Sequence, residues 1–273
     1  MFVFVYADAI YFAIKAYDDS PGEIRATLSE RDSYTFTDDY IRIVLDTFND
    51  QRRAYVFTVN PLGVQHDGLW NECGGGTGQR GRRFGSPIDD APDFLWWSDA
   101  HMTEWGYEAE IRIPFKSLRF PEVEEQSWGL QVERNIQRNG YKSSWSPITG
   151  NVANKLTQAG RLNELRNLDM GLFMELNPVL TGSRNGELND LGSFEHQSPE
   201  GEFGFNAMYG VTSNLTLDAT YNPDFSQVEA DAGQVQVNER FALFFPEQRP
   251  FFLEGTEIFG MQKQLVYTRT VEN

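Results

Sequence analysis

Residues 203–221 read FGFNAMYGVTSNLTLDATY. Phe203, Phe205, Ala207, Tyr209 and Val211 alternate with Gly204, Asn206, Met208 and Gly210. After the turn-like Val211-Thr-Ser-Asn214, Leu215, Leu217, Ala219 and Tyr221 alternate with Thr216, Asp218 and Thr220. Successive side chains of a strand point to opposite faces, so both runs read as strands with one apolar, aromatic face. Together they form a β-hairpin. This period of two, recurring upstream, makes the chain all-β.

Downstream stand Asn222-Pro-Asp-Phe-Ser-Gln-Val-Glu-Ala-Asp231 and Phe244-Phe-Pro-Glu-Gln-Arg-Pro-Phe-Phe-Leu-Glu-Gly255. Two prolines four apart forbid an ordinary central strand in the second run. Phe pairs flanking a short charged turn describe a docked loop. With RDS, DDYIRIVLDTFND, YVFTVNPLGVQHD and EIRIPFKSLRF upstream, the two runs resemble one bacterial family over nearly the whole chain. Its members carry a domain similar to family 9 carbohydrate-binding modules, followed by an outer-membrane β-barrel of unknown function, and some carry a hydrolase label. Gln248 stands where the family usually has Lys, Ala242 where an acidic residue is common, and Gly106-Tyr107 where Gly-Trp is usual.

The resemblance implies an antiparallel, jelly-roll-like β-sandwich over residues 1–150, a connector over 151–170, and the first strands of an incomplete barrel over 171–273. It places the protein at the outer membrane with the sandwich in the periplasm. It puts Glu247, Arg249 and Glu254 in a loop docked inside the barrel or at its periplasmic mouth, and Met1 inside a domain, so the chain reads as an internal fragment.

The chain has 273 residues, a formal charge of −17 and 14% aromatic residues, enough for one large or two smaller cores. The acidity is spread along it and excludes a nucleic-acid partner, whose binders need a basic patch. A solvated acidic surface accounts for it. One cysteine, Cys73, excludes an internal disulfide framework. The apolar start Met1-Phe-Val-Phe-Val-Tyr-Ala meets Asp8 with no basic residue before it, so no secretory signal is visible. No run approaches the ~18 apolar residues of a membrane helix.

Strand patterns recur at 2–17, as two strands about Ala7-Asp8-Ala9, and at 40–48 with 54–60, as a hairpin. They return at 94–101, 107–113 and 128–137. Short strands at this spacing, with turn signals between, argue a sandwich. Residues 71–92 read as an irregular Gly-rich loop. Leu156, Leu162, Leu165 and Leu168 have the spacing of a short connecting helix.

All six tryptophans precede residue 150. Aromatic faces pack against the C–H faces of sugar rings, so a Trp-rich sandwich invites an oligo- or polysaccharide ligand. The candidate platform is Trp70, beside the Gly-rich loop, or one of Trp96 and Trp97, which point to opposite faces of one strand. Trp128 and Trp145 are assigned to the core.

Glu108 and Glu110 share a strand face about 6–7 Å apart, near the separation of an inverting glycosidase. Their strand's other face, Tyr107, Ala109, Ile111 and Ile113, is core, so the pair reads as the solvated face with Arg112 as a surface partner. A glycoside hydrolase of carbohydrate catabolism is the alternative reading, and a purely structural outer-membrane module a third. The Cys73–Gly81 loop lacks the Gly-Lys-Ser/Thr of a phosphate loop. His66, His101 and His196 have no metal-ligand spacing. Asp46, Asn49 and Asp50 offer calcium-type oxygens but lack the EF-hand glycine and read better as a hairpin turn. No catalytic residue, metal or other cofactor is assigned. The expected partners are a glycan for the sandwich and outer-membrane lipid for the hairpin at 203–221.

Overall fold

In this computed structural model, residues 1–6, 8–32, 37–72, 88–90, 92–169, 171, 174–183, 186–188, 194–196, 198, 200–212 and 215–222 are described. They form β1 (Phe2–Tyr6), β2 (Ala9–Tyr17), β3 (Tyr40–Asp46), β4 (Arg53–Val59), β5 (Gln65–Asn71), β6 (Ile88–Asp89), β7 (Trp97–Thr103) and β8 (Gly106–Pro114). These are followed by β9 (Glu125–Ile136), β10 (Tyr141–Ser144), β11 (Gly160–Arg166), β12 (Met174–Ser183), β13 (Gly186–Leu188), β14 (Phe194–His196), β15 (Glu200–Thr212) and β16 (Leu215–Tyr221). All the pairings are antiparallel. The chain divides into two compact units, with the boundary at residues 172/173.

The first unit is a β-sandwich. Its smaller sheet has the order β1-β2-β8-β7, and its larger one β10-β9-β3-β4-β5-β6 with β11 also on β9. The alternation that the sequence shows becomes the packing. Ile10, Phe12 and Ile14 of β2 and Tyr107, Ala109, Ile111 and Ile113 of β8 point inward. They meet Ile41, Ile43 and Leu45 of β3, Phe57 and Val59 of β4, and Trp128 and Leu130 of β9 in one core. Phe115 and Phe120 close one end, each within 6.2 Å of the Trp128 ring.

β3 is buried on both faces. The outer face of the larger sheet carries a second cluster of Val44, Ala54, Val56, Trp70, Ile88 and Leu156. The Glu72 carboxylate accepts the backbone N–H groups of Lys155 and Leu156, at 2.7 and 3.0 Å, which holds the turn carrying Leu156 against β5.

The connector expected at 151–170 is not a helix. Leu156–Gln158 form one 3-10 turn. Gly160–Arg166 then adds to the larger sheet, antiparallel to β9, with a bulge between Leu162 and Leu165. The extra residue in the bulge, where Glu164 has φ +60°, turns both leucines toward the core. A three-residue leucine spacing normally marks a helix, and here the bulge makes it. The sandwich accordingly runs past residue 150 to about residue 172.

The hairpin expected at 40–60 is present as β3 and β4. Its turn is held by Asp46, whose buried carboxylate accepts the N–H groups of Asp50 at 3.3 Å and Gln51 at 2.8 Å. Asp50 in turn accepts those of Arg52 and Arg53. Carboxylate oxygens of Asp46 and Asp50, two of the three residues considered for calcium, are thus engaged by the backbone of the turn.

The second unit contains a three-stranded sheet, β12-β15-β16, and the β13–β14 pair. The expected hairpin at 203–221 is β15 with β16. Cys73 and the loop residues Glu247, Arg249 and Glu254 lie outside the described residues.

Candidate functional site: the solvent face of the four-stranded sheet

A row of side chains crosses all four strands of the smaller sheet. Phe4 of β1 stands opposite Tyr11 of β2, Tyr11 opposite Arg112 of β8, and Arg112 opposite Trp97 of β7. Alternation places these four on the face away from the core. Phe4 is 56% and Trp97 45% exposed, and Phe2 and Tyr6 extend the aromatic surface along β1.

Arg112 sits between two rings. Its guanidinium carbon is 4.6 Å from the Trp97 centroid and 5.9 Å from that of Tyr11. Nε donates to the Tyr11 hydroxyl at 3.0 Å, and Nη2 to Asp8 at 2.7 Å. The planar fork is thereby held in one orientation against two aromatic faces. Arg112 was expected to partner the glutamates; its partners are Asp8, Tyr11 and Trp97.

Along the same face, Glu110 lies opposite Asp99, and Glu108 opposite Lys15 and His101. Glu108 is tied to Lys15 at 3.1 Å and approaches His101 at 3.5 Å. The bond to Glu108 and its charge raise the Lys15 pKa. Lys15 also lies 5.4 Å from the Trp105 ring, which contacts Tyr17.

What turns Trp97 outward is the burial of its neighbour. Trp96 is 2% exposed. Its indole N–H donates to Asp67 at 3.0 Å, and its carbonyl accepts from Gln65. Asp67 also accepts the Phe94 N–H at 2.7 Å, and Arg31 bridges Asp67 and the Phe94 carbonyl, both at 2.6 Å. This latch fixes the strand phase at residue 96, so residue 97 must face solvent.

The other expected platform residue, Trp70, is 5% exposed in the second cluster, because Ile88 and Leu156 close over it. Trp145, assigned to the core from sequence, is instead 53% exposed. It lies against Gly160, where an added Cβ would come within 2.2 Å of the ring.

Among the described residues, Asp32, Asp67 and Asp93 bring carboxylate oxygens within 4.8 Å of one another. They gather around the Arg31 guanidinium, at 2.6 Å for Asp67, 3.3 Å for Asp32 and 3.9 Å for Asp93. Desolvation and the Asp67 charge push the Asp32 carboxyl up to about 6, against the pull of Arg31. The arrangement is an ion-pair network that holds the 31–32 and 92–96 segments on β5. His66 is buried, and burial lowers its pKa while Asp90, 3.7 Å away, opposes the shift.

Of the residues in this row, the sequence singles out Trp97 as a candidate but does not pair it with Phe4, Tyr11 or Arg112. Phe2, Phe4 and Tyr6 alternate on β1, and nothing local in the sequence joins them to Arg112.

Residues 170–273 match the model of a family described as Domain of unknown function (DUF5916). No curated protein matches the chain. Among solved structures, the chain is similar to the crystal structure of a "putative carbohydrate-binding protein" from Bacteroides uniformis ATCC 8492. Identity is 16% and the TM-score 0.40, over 57% of this chain and 73% of that one. A likeness this distant carries no argument about ligand.

Proposed function

We propose that the sandwich binds carbohydrate on the solvent face of its four-stranded sheet, and that the strands from Met174 onward belong to an outer-membrane barrel, with the sandwich in the periplasm. The first part rests on the Phe4–Tyr11–Arg112–Trp97 row. Exposed rings offer apolar faces to the C–H faces of sugars. Arg112 and Asp8, held beside them, offer a donor and an acceptor to hydroxyl groups. Such a site needs no catalytic group.

The second part rests on an inverted sheet. Met174, Leu176, Leu180, Phe203, Tyr209, Val211, Leu215, Leu217 and Tyr221 are exposed large apolar side chains, all on one face. The polar set, Thr216, Asp218 and Thr220, is less exposed. Asn206 accepts from Thr220 on that polar face. Water-soluble sheets turn the apolar face inward; lipid-facing strands do the reverse.

The test uses the full-length protein, titrated with xylo-, cello- and other oligosaccharides while tryptophan fluorescence is followed. A saturable shift that Trp97→Ala removes is the expected result. A folded protein that shifts with none of the sugars overturns the first part. Absence of the protein from the outer-membrane fraction of its cells overturns the second.

A further inference from the structure

We infer that the β13–β14 hairpin faces the outside of the cell and the β15–β16 turn faces the periplasm. The inference rests on the outer-membrane reading above and adds the direction of each strand.

The three-stranded sheet has two unlike ends. At one, β15 and β16 are joined by two residues, with Thr212 paired to Leu215. The chain leaves the sandwich and enters β12 at this same end, where Met174 pairs with Tyr209 and Tyr209 with Leu217. At the other end Ser183 pairs with Glu200, and the sixteen residues 184–199 lie between them. Within that span the antiparallel ladder resumes, from Gly186 opposite His196 to Leu188 opposite Phe194.

Membrane barrels carry short turns on the periplasmic side and long loops on the outer side. The length asymmetry therefore orients the sheet. The apolar band supports the same limits. On β15 it runs from Phe203 to Val211, eight steps of ~3.4 Å. That is about 27 Å along the strand, or ~20 Å in height at a tilt of 35–45°, near the ~25 Å apolar belt of such barrels. Beyond Phe203 the sequence turns polar at once: Glu200 and Glu202, then Glu187, Asp190 and Glu195 against the single Arg184. In sequence, an acidic stretch thus follows the band. The same direction leaves the covalent link to the sandwich in the periplasm.

The experiment places single cysteines in the full-length protein with Cys73 replaced by serine. Ser198→Cys lies in the long connection and Ser213→Cys in the short turn. Intact cells are treated with a membrane-impermeant maleimide, then again after the outer membrane is permeabilised, and reactivity of each cysteine is checked on solubilised protein. The expected result is labelling of Ser198→Cys in intact cells and of Ser213→Cys only after permeabilisation. A peptide tag inserted after Ser198 gives the same answer by antibody binding. If the protein fractionates with the outer membrane but the pattern is reversed, or both or neither cysteine is labelled in intact cells, the orientation is overturned, and with it the periplasmic placement of the sandwich, while the outer-membrane location stands. If the protein is absent from that fraction, the membrane reading fails and the orientation falls with it.

Discussion

Replacing Asp67 by alanine removes the acceptor at the centre of the latch. The side chain is fully buried, and three groups donate to it: the Phe94 N–H, the Trp96 indole N–H and Arg31. Each buried donor left without a partner costs about 1–3 kcal/mol. The Trp96 nitrogen cannot reach water, because its residue is 2% exposed. Arg31, with a side chain 36% exposed, regains hydration and adds little. The sum is about 3 kcal/mol. Urea unfolding followed by tryptophan fluorescence reports on the sandwich, since all six tryptophans precede residue 150. The expected outcome is a lowered midpoint with an unchanged slope. Asp67→Asn keeps an amide oxygen for one donor and costs roughly half as much. A loss below ~1 kcal/mol for Asp67→Ala would refute the reasoning, because the donors would then have found other partners. Equal losses for Ala and Asn would place the cost in charge rather than in the orphaned N–H groups. For the proposed saccharide site, the expected outcome is a lowered affinity with the same substitution, because β7 begins immediately after Trp96.

Asp32 binds its proton more tightly in the folded state, at about 6 against an ordinary 3.8, so the native protein holds more protons than the unfolded chain between those values. Stability therefore falls as pH rises from about 4 to about 6 and stays lower above it. Asp32→Asn flattens this slope in pH-dependent urea melts and adds ~1 kcal/mol at pH 7, a figure discounted for partial exposure. Asn also tolerates the residue's φ of +60°. Gly106→Ala costs about 3 kcal/mol or more, measured by thermal melting. Its φ is +143°, and an added Cβ would lie 2.0 Å from the Ala16 carbonyl oxygen, which the β2–β8 ladder holds in place. Trp70→Ala costs ~3–5 kcal/mol because the indole fills the second cluster. Trp97→Ala costs under ~1 kcal/mol, because its ring already faces water. Urea melts of the two variants side by side separate core from surface.

Period-two alternation made the strand faces legible. At 107–113, 203–211 and 215–221 it assigned each side chain to a face from sequence alone, because neighbouring Cβ atoms of a strand point opposite ways. It also required that one of Trp96 and Trp97 be outside. Which one depended on Asp67, 29 positions before Trp96. Alternation failed where an irregularity entered: the bulge at Leu162–Leu165 placed two leucines three apart on one face, as a helix would. Exposure was legible only where it followed from a strand's own pattern. Trp70 is buried by Ile88 and Leu156, and Trp145 is left open, through contacts between distant segments.

The solvent face of the smaller sheet shows the same division. The sequence by itself determined that the chain is all-β and that Arg112 lies opposite a core face. Only the tertiary structure brought Tyr11 and Arg112, 101 positions apart, into hydrogen-bond contact beside Trp97. Strand pairing across β2, β8 and β7 selects those neighbours, and it is decided by burial of the opposite face, where Phe12, Ile111 and Ile113 enter the core.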